Sequence, residues 1–289
     1  MAKRQPEPLA GRGRRVGDWT VPERVTWGDI YQGKYVRLVS NIGTYDNPVT
    51  TMVGEANDTN CFKGTFEGEG CSLTVKYEAT EANTAPFRYA RKVTFKNLKI
   101  KGTIETSFNY TAGLIADLAG DSTIDNCTSS VEIKVTKNES GARPVCISGF
   151  VASAISKSDK LTFQDCLFDG KLLNSPDSLE PSQISGFVGY VDYDYAYFYD
   201  CLFNPAEVGT YKDGYAGPFY GYSGGKSLER HCNGSVWVTA YGGTSQGKDG
   251  SKCTQGFISL DDLPEGESAD NYEQVTKCGT DLYVKKSTE

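Results

Sequence analysis

"LTFQDCLFDGKL" occupies residues 161–172. Phe163 and Cys166 stand three residues apart, and an Asp precedes the Cys. The same arrangement returns along the chain in "VTFKNLKIKGTI" (93–104), "TIDNCTSSVEIKV" (123–135), "YFYDCLFNPAEV" (197–208) and "LERHCNGSVWV" (228–238). In each, Asn, Asp or His is followed by Leu98, Cys127, Cys166, Cys201 or Cys232. Phe95/Leu98, Ile124/Cys127 and Phe198/Cys201 repeat the three-residue step, whereas Val93/Phe95 and Leu98/Ile100 keep the two-residue step of a strand. One extra residue between two inward positions predicts a corner. Asn or Asp there can adopt the left-handed αL conformation and bond its own backbone.

A second element lies between copies of the first: "AGLIADLAG" (112–120), "SGFVASAIS" (148–156), "SGFVGYVDY" (185–193) and "AGPFYGYSG" (216–224). Two motifs in constant order at unequal spacing describe a repeat with variable loops. Strand, corner, strand and a Gly-led apolar strand make one coil of a parallel β-solenoid, whose equivalent residues stack at ~4.8 Å. The expected fold is all-β, a right-handed parallel β-helix of about five coils with N- and C-terminal caps. Residues 1–18 read as a flexible tail, 19–60 as the N-terminal cap, 61–245 as the repeats and 246–289 as the C-terminal cap. Within the first cap "KYVRLVSNI" (34–42) reads as a strand.

Composition agrees. The 289 residues include 32 Gly, 18 Tyr, 13 Phe and one His, a balance favouring strands and turns. A net charge of -7 argues against nucleic acid as a partner. No apolar run reaches the ~20 residues of a transmembrane helix. The first fifteen residues are basic and lack the apolar stretch of a signal peptide. With nine cysteines, no CxxC and one His, no metal site is expected. Cys127, Cys166, Cys201 and Cys232 are expected inward in one column as reduced thiols, because parallel Cβ vectors suit a disulfide poorly. Cys253–Cys278 or Cys61–Cys71 would be better placed for a bridge.

"FKGTFEGEGCSLTV" (62–75) resembles the entry motif of bacterial surface proteins, F-x-G-x-F-D-G-x-G-x-x-I. With "APFRYARKVTFKNLKIKGTI" (85–104) and the "GFV" and "DNC" elements, residues 25–245 are similar to GLUG-type repeats and to pectin-lyase-like right-handed β-helices. Glu67 stands where the motif has Asp, Cys71 where it has His, and "GPFYGY" is a degenerate last copy. The resemblance implies an exported, extracellular or cell-surface protein. It supplies no catalytic residue and no cofactor.

Function has to come from side chains. "GYVDYDYAYFYDC" (189–201) places Tyr at 190, 193, 195, 197 and 199. Phe198 aligns with inward Phe95, Ile124 and Phe163, so Ala196 and Phe198 should point inward and Tyr193, Tyr195, Tyr197 and Tyr199 outward. Tyr211 and Tyr215 follow in the next coil, and Asp192 and Asp194 lie beside the row. An aromatic row on a rigid sheet suits the apolar faces of sugar rings, with carboxylates accepting hydroxyl hydrogen bonds. The opposing expectation is that loops cover the phenols or that they only stabilise a face.

At the corner the stack reads Asn97, Asn126, Asp165, Asp200, His231. Asp165, Asp200 and His231 are the alternative candidates, as an acid/base or cation cluster. The plainer expectation is that these carboxylates cap backbone amides. The favoured function is a non-catalytic binding or adhesion module for a glycan or a host or cell-surface protein. A polysaccharide-active lyase or hydrolase and a structural spacer are the alternatives. The sequence leaves oligomeric state open.

Overall fold

The computed structural model describes residues 34–55, 60–136, 146–155, 159–173, 183–191, 195–209, 216–223, 229–238 and 253–287. These residues form long parallel sheets curled around an axis, consistent with a parallel β-helix. Two eleven-stranded sheets make the long walls and a four-stranded sheet makes a short one. The first wall contains Phe62–Glu67, Phe87–Lys96, Ser122–Asp125, Lys160–Gln164, Tyr195–Tyr199 and Glu229–Asn233, each paired in parallel with the next. Lys34–Arg37 adds to Phe62–Glu67, also in parallel. The second wall contains Ser72–Glu78, Lys99–Thr106, Thr128–Val135 and the short strands stacked after them.

Register makes the repeat visible as columns. Phe66, Phe95, Ile124, Phe163, Phe198 and Cys232 are partners in successive strands of the first wall. All are buried, and the Phe163 and Phe198 rings stack 5.4 Å apart. The "GFV" phenylalanines form a second column, with Phe150 to Phe187 at 5.3 Å and Phe187 to Phe219 at 5.0 Å. Phe168 and Phe203 stack 5.7 Å apart in the second wall. Gly149 is required here. A Cβ at that position would strike the Phe168 ring and the carbonyl of Gly186.

Between the long walls the chain turns at Asn97, Asn126, Asp165, Asp200 and Gly234, with φ of 52°, 49°, 50°, 51° and 66°. The first four are the residues whose spacing predicted a corner. The fifth corrects the sequence alignment. Tyr197 pairs with His231 and Phe198 with Cys232, so Gly234, not His231, occupies the last corner. Asn-Gly takes the αL position more readily than His, and it shifts the last motif by three residues. Cys232 therefore leaves the expected thiol column. Ser235 stands beside Cys201 instead, its hydroxyl accepting the Cys201 N–H at 3.0 Å and donating to the Phe198 carbonyl at 2.9 Å.

Cys127, Cys166 and Cys201 are free and buried, as expected. Burial raises the pKa of Cys127 and Cys166 well above that of a free thiol. The bridge is Cys232–Cys253, across a Cα separation of 5.0 Å, rather than either pair favoured by the sequence. Thr254 follows Cys253 and pairs in parallel with Val236, which brings Cys253 over the end of the last coil.

The parallel order stops after Thr254–Phe257. Tyr272–Lys277 and Thr280–Lys285 form an antiparallel hairpin that pairs back onto Thr254–Phe257. Leu282 of this hairpin is fully buried and joins Leu202 and Val236, whose neighbours Cys201 and Ser235 point the other way, into a separate apolar cluster. The hairpin thus lies on the outer face of the second wall.

Candidate functional site

The tyrosine stretch divides as alternation requires. Ala196 and Phe198 are buried, while Tyr197 and Tyr199 point outward and are half-buried. Their rings are nearly parallel, 11° between planes and 5.9 Å between centroids. Lys160, on the neighbouring strand, holds its ammonium 4.7 Å from the centroid of Tyr197. Register explains the contact: Lys160 pairs with Tyr195, so its long side chain reaches diagonally to the next outward ring. The backbone N–H of Lys160 is fixed by the Asp121 carboxylate at 2.7 Å. A cation over an aromatic face contributes about 0.5–1 kcal/mol where exposed. The phenols are therefore a packed row with a cation rather than a bare ridge. Thr162 beside Tyr197 and Gln164 beside Tyr199 continue a polar outer surface.

Asp192, Tyr193, Asp194, Tyr211 and Tyr215 lie outside the described residues. Tyr195 is placed by its backbone in the strand, and its side chain is not described. The same holds for His231. Register sets the His231 backbone next to that of Tyr197, three residues before the Gly234 corner.

At that corner Asp200 accepts a hydrogen bond from the Lys277 ammonium at 2.5 Å. Lys277 ends the first strand of the C-terminal hairpin, and the adjacent Cys278 thiol lies 3.5 Å from the carbonyls of Cys166 and Asp200. The Asp200 carboxylate is thus met by an ammonium from outside the repeat. Burial and, next, the negative charge of Asp165 push the Cys278 pKa up to about 11. Among the described residues no three His, Cys, Asp or Glu side chains are grouped so as to hold a metal ion.

A cavity of about 440 Å³ opens near the N-terminal end, lined by Thr50, Met52, Tyr77, Glu78 and Glu81 among others. Sequence reading missed it because Thr50 and Met52 belong to an irregular segment with no periodicity. Glu81 is bonded to Arg88 at 2.7 Å, and that hydrogen bond lowers its pKa. It is thereby held as a carboxylate.

No family model, no curated protein and no solved structure matches this chain. The class that the fold defines is a parallel, β-helix-like solenoid with stacked buried aromatics.

Proposed function

We propose that the chain is a right-handed parallel β-helix of the GLUG-repeat type, capped at both ends, and that it serves as a non-catalytic binding or adhesion module of an exported bacterial surface protein. A right-handed sense is what parallel crossovers adopt in about 98% of cases. In this reading the strand Lys34–Arg37, paired with Phe62–Glu67, and the hairpin, paired with Thr254–Phe257, supply the caps that keep sheet ends from templating aggregation. The observation that carries the functional reading is the outward, near-parallel Tyr197/Tyr199 pair with its cation on an interior strand of a parallel wall. A wall hydrogen-bonded on both sides needs no ordering when a ligand arrives. Sugar rings or a host-surface peptide are the ligands this face suits. Each contact is weak, so a single site should bind in the millimolar to micromolar range, about 4–8 kcal/mol, with useful adhesion coming from many copies.

The polysaccharide-active alternative draws on the cavity, where Glu78 and Glu81 supply two carboxylates. A glycosidase needs one of its pair protonated as general acid. Glu81, held ionised by Arg88, does not suit that role.

A glycan array run beside a reducing-end assay tests both readings. Tyr197→Ala should abolish binding to neutral glycans on the array while hardly changing the melting temperature. Phe198→Ala should cost ~3–5 kcal/mol as a core truncation. Neutral-glycan binding that survives Tyr197→Ala in the folded protein would refute the binding face. New reducing ends released by the wild type and lost in Glu78→Gln would establish the enzyme.

A further inference from the structure

Around the corner from the tyrosine wall, one coil carries "RKVTFKNLKIK" (91–101), five cations in a chain whose net charge is -7. Lys99 and Lys101 sit two residues apart on the strand Lys99–Thr106, both on the outer face of the second wall, ~6.8 Å along the strand. Lys99 is exposed and Lys101 half-buried. Their partners across the sheet are small and hydroxylated: on one side Ser72 and Thr74, both buried, and on the other the half-buried Thr128 beside Lys99 and the exposed Ser130 beside Lys101. Across Asn97 the series continues with Lys96, and Lys92 is exposed beyond it.

The acidic groups nearby are already engaged. Glu67 accepts from Asn97 at 2.8 Å and from the Glu69 N–H at 3.0 Å. Glu69 is paired with Arg37 at 2.7 Å, Glu132 with Lys171 at 3.6 Å, and Asp169 accepts from Ser130 at 2.5 Å. Asp125 lies 3.8 Å from Lys96. Among the described residues no ion pair involves Lys92, Lys99 or Lys101. Lys92, Lys99 and Lys101 therefore stand as cations outside these ion pairs, with the Thr128 and Ser130 hydroxyls beside the last two.

We propose that this face binds a linear anionic polysaccharide bearing sulfate or carboxylate groups, lying across Lys101, Lys99 and Lys96. A peptide adding to a sheet needs a free edge. The strand Lys99–Thr106 is paired on both sides, so only side chains are on offer. Ammonium groups pair with the anionic substituents, and the accessible Thr128 and Ser130 hydroxyls exchange hydrogen bonds with sugar hydroxyls. Lys99 and Lys101 lie on the second wall, whereas Lys96 lies on the tyrosine wall, three strands from Tyr199.

The test titrates the full chain with heparin, with polygalacturonate and with neutral dextran at 50 and 300 mM NaCl. Binding to at least one polyanion, weakened fivefold or more by the higher salt, and no binding to dextran are expected. Heparin alone would assign sulfate, and both polyanions would include carboxylate. The Lys99→Gln/Lys101→Gln pair should weaken binding about tenfold with an unchanged melting curve, whereas Lys286→Gln on the C-terminal segment and Tyr197→Ala should leave it within twofold. No polyanion binding at 50 mM NaCl, or equal losses in the Lys286→Gln control, would overturn the proposal.

Discussion

The upper and lower halves of the corner column share a backbone but not a chemistry. Asn97, Asn126, Asp165 and Asp200 all take φ between 49° and 52°. In the upper coils the side chains satisfy one another: Asn97 donates to Glu67 at 2.8 Å, and Asn126 donates to Asn97 at 2.6 Å. An amide both donates and accepts, so such a ladder can extend itself from coil to coil. Asp165 and Asp200 only accept, and stacking them one strand apart places like charges together. There the fold brings in Lys277 from the hairpin. Tolerating αL is what the corner demands of a residue. The side chain's partners then decide whether the coil is self-sufficient or depends on a distant segment.

The largest break in this comparison should come from Asn97→Val. A β-branched residue in αL costs ~1–2 kcal/mol, and losing both ladder bonds adds about 0.5–1.5 each, giving ~3 kcal/mol in denaturant unfolding. Asn97→Gly should recover the backbone part. A loss under 1 kcal/mol for Asn97→Val would mean that the ladder contributes little. Next comes Asn126→Asp, which turns an upper corner into a lower one without supplying a cation. It removes the donor to Asn97 and sets a third carboxylate beside Asp165. A cost of ~2 kcal/mol is expected at pH 7.

How far the sequence revealed this follows from which interactions are local. The corner itself was legible because the three-residue step at Phe163/Cys166 and Phe198/Cys201 is a local consequence of one αL residue. So was the outward direction of Tyr197 and Tyr199, fixed by alternation. The last coil was misread because "RHC" imitates "QDC", while the residue that turns is Gly234 three positions after His231. Lys160 over Tyr197 needs the cross-strand register, which only the unequal loop lengths determine. Lys277 on Asp200 joins residues 77 apart in the chain, with no periodic relation between them. The outer-face cluster of Leu202, Val236 and Leu282 hid for the same reason.

Alkaline titration separates the halves more finely. The Cys278 thiol is pushed up to about 11, first by burial and then by Asp165, whereas an unfolded thiol ionises near ~8.5. A folded pKa above the unfolded one means stability that is complete below about 8.5 and lost as pH rises through 11. We expect ~1 kcal/mol of loosening by pH 10, less than the full shift because the residue is half-exposed. Hydrogen exchange should place the change in residues 272–285 and leave the upper coils unaltered. Cys278→Ser should remove it. Uniform loosening of all coils would deny the lower half its dependence on the hairpin.

The smallest expected effect is the most direct test of that dependence. Lys277 and Asp200 are partly exposed, with side-chain accessibilities of 21% and 51%, so solvent screens their attraction. Surface pairs of this kind contribute 0.2–1 kcal/mol, and a coupling of ~0.5 kcal/mol is expected here. A double-mutant cycle of Lys277→Met and Asp200→Asn isolates it, because neither replacement disturbs the buried face of its element. Lys277→Met alone should be the worse single change, since it leaves Asp165 and Asp200 stacked without a cation. Asp200→Asn should then rescue it in part by removing one charge and restoring an amide that can donate within the column. If the two changes were strictly additive and Lys277→Met were silent, the carboxylates would be solvated without help. The lower corner would then be as self-sufficient as the upper, through water in place of amides.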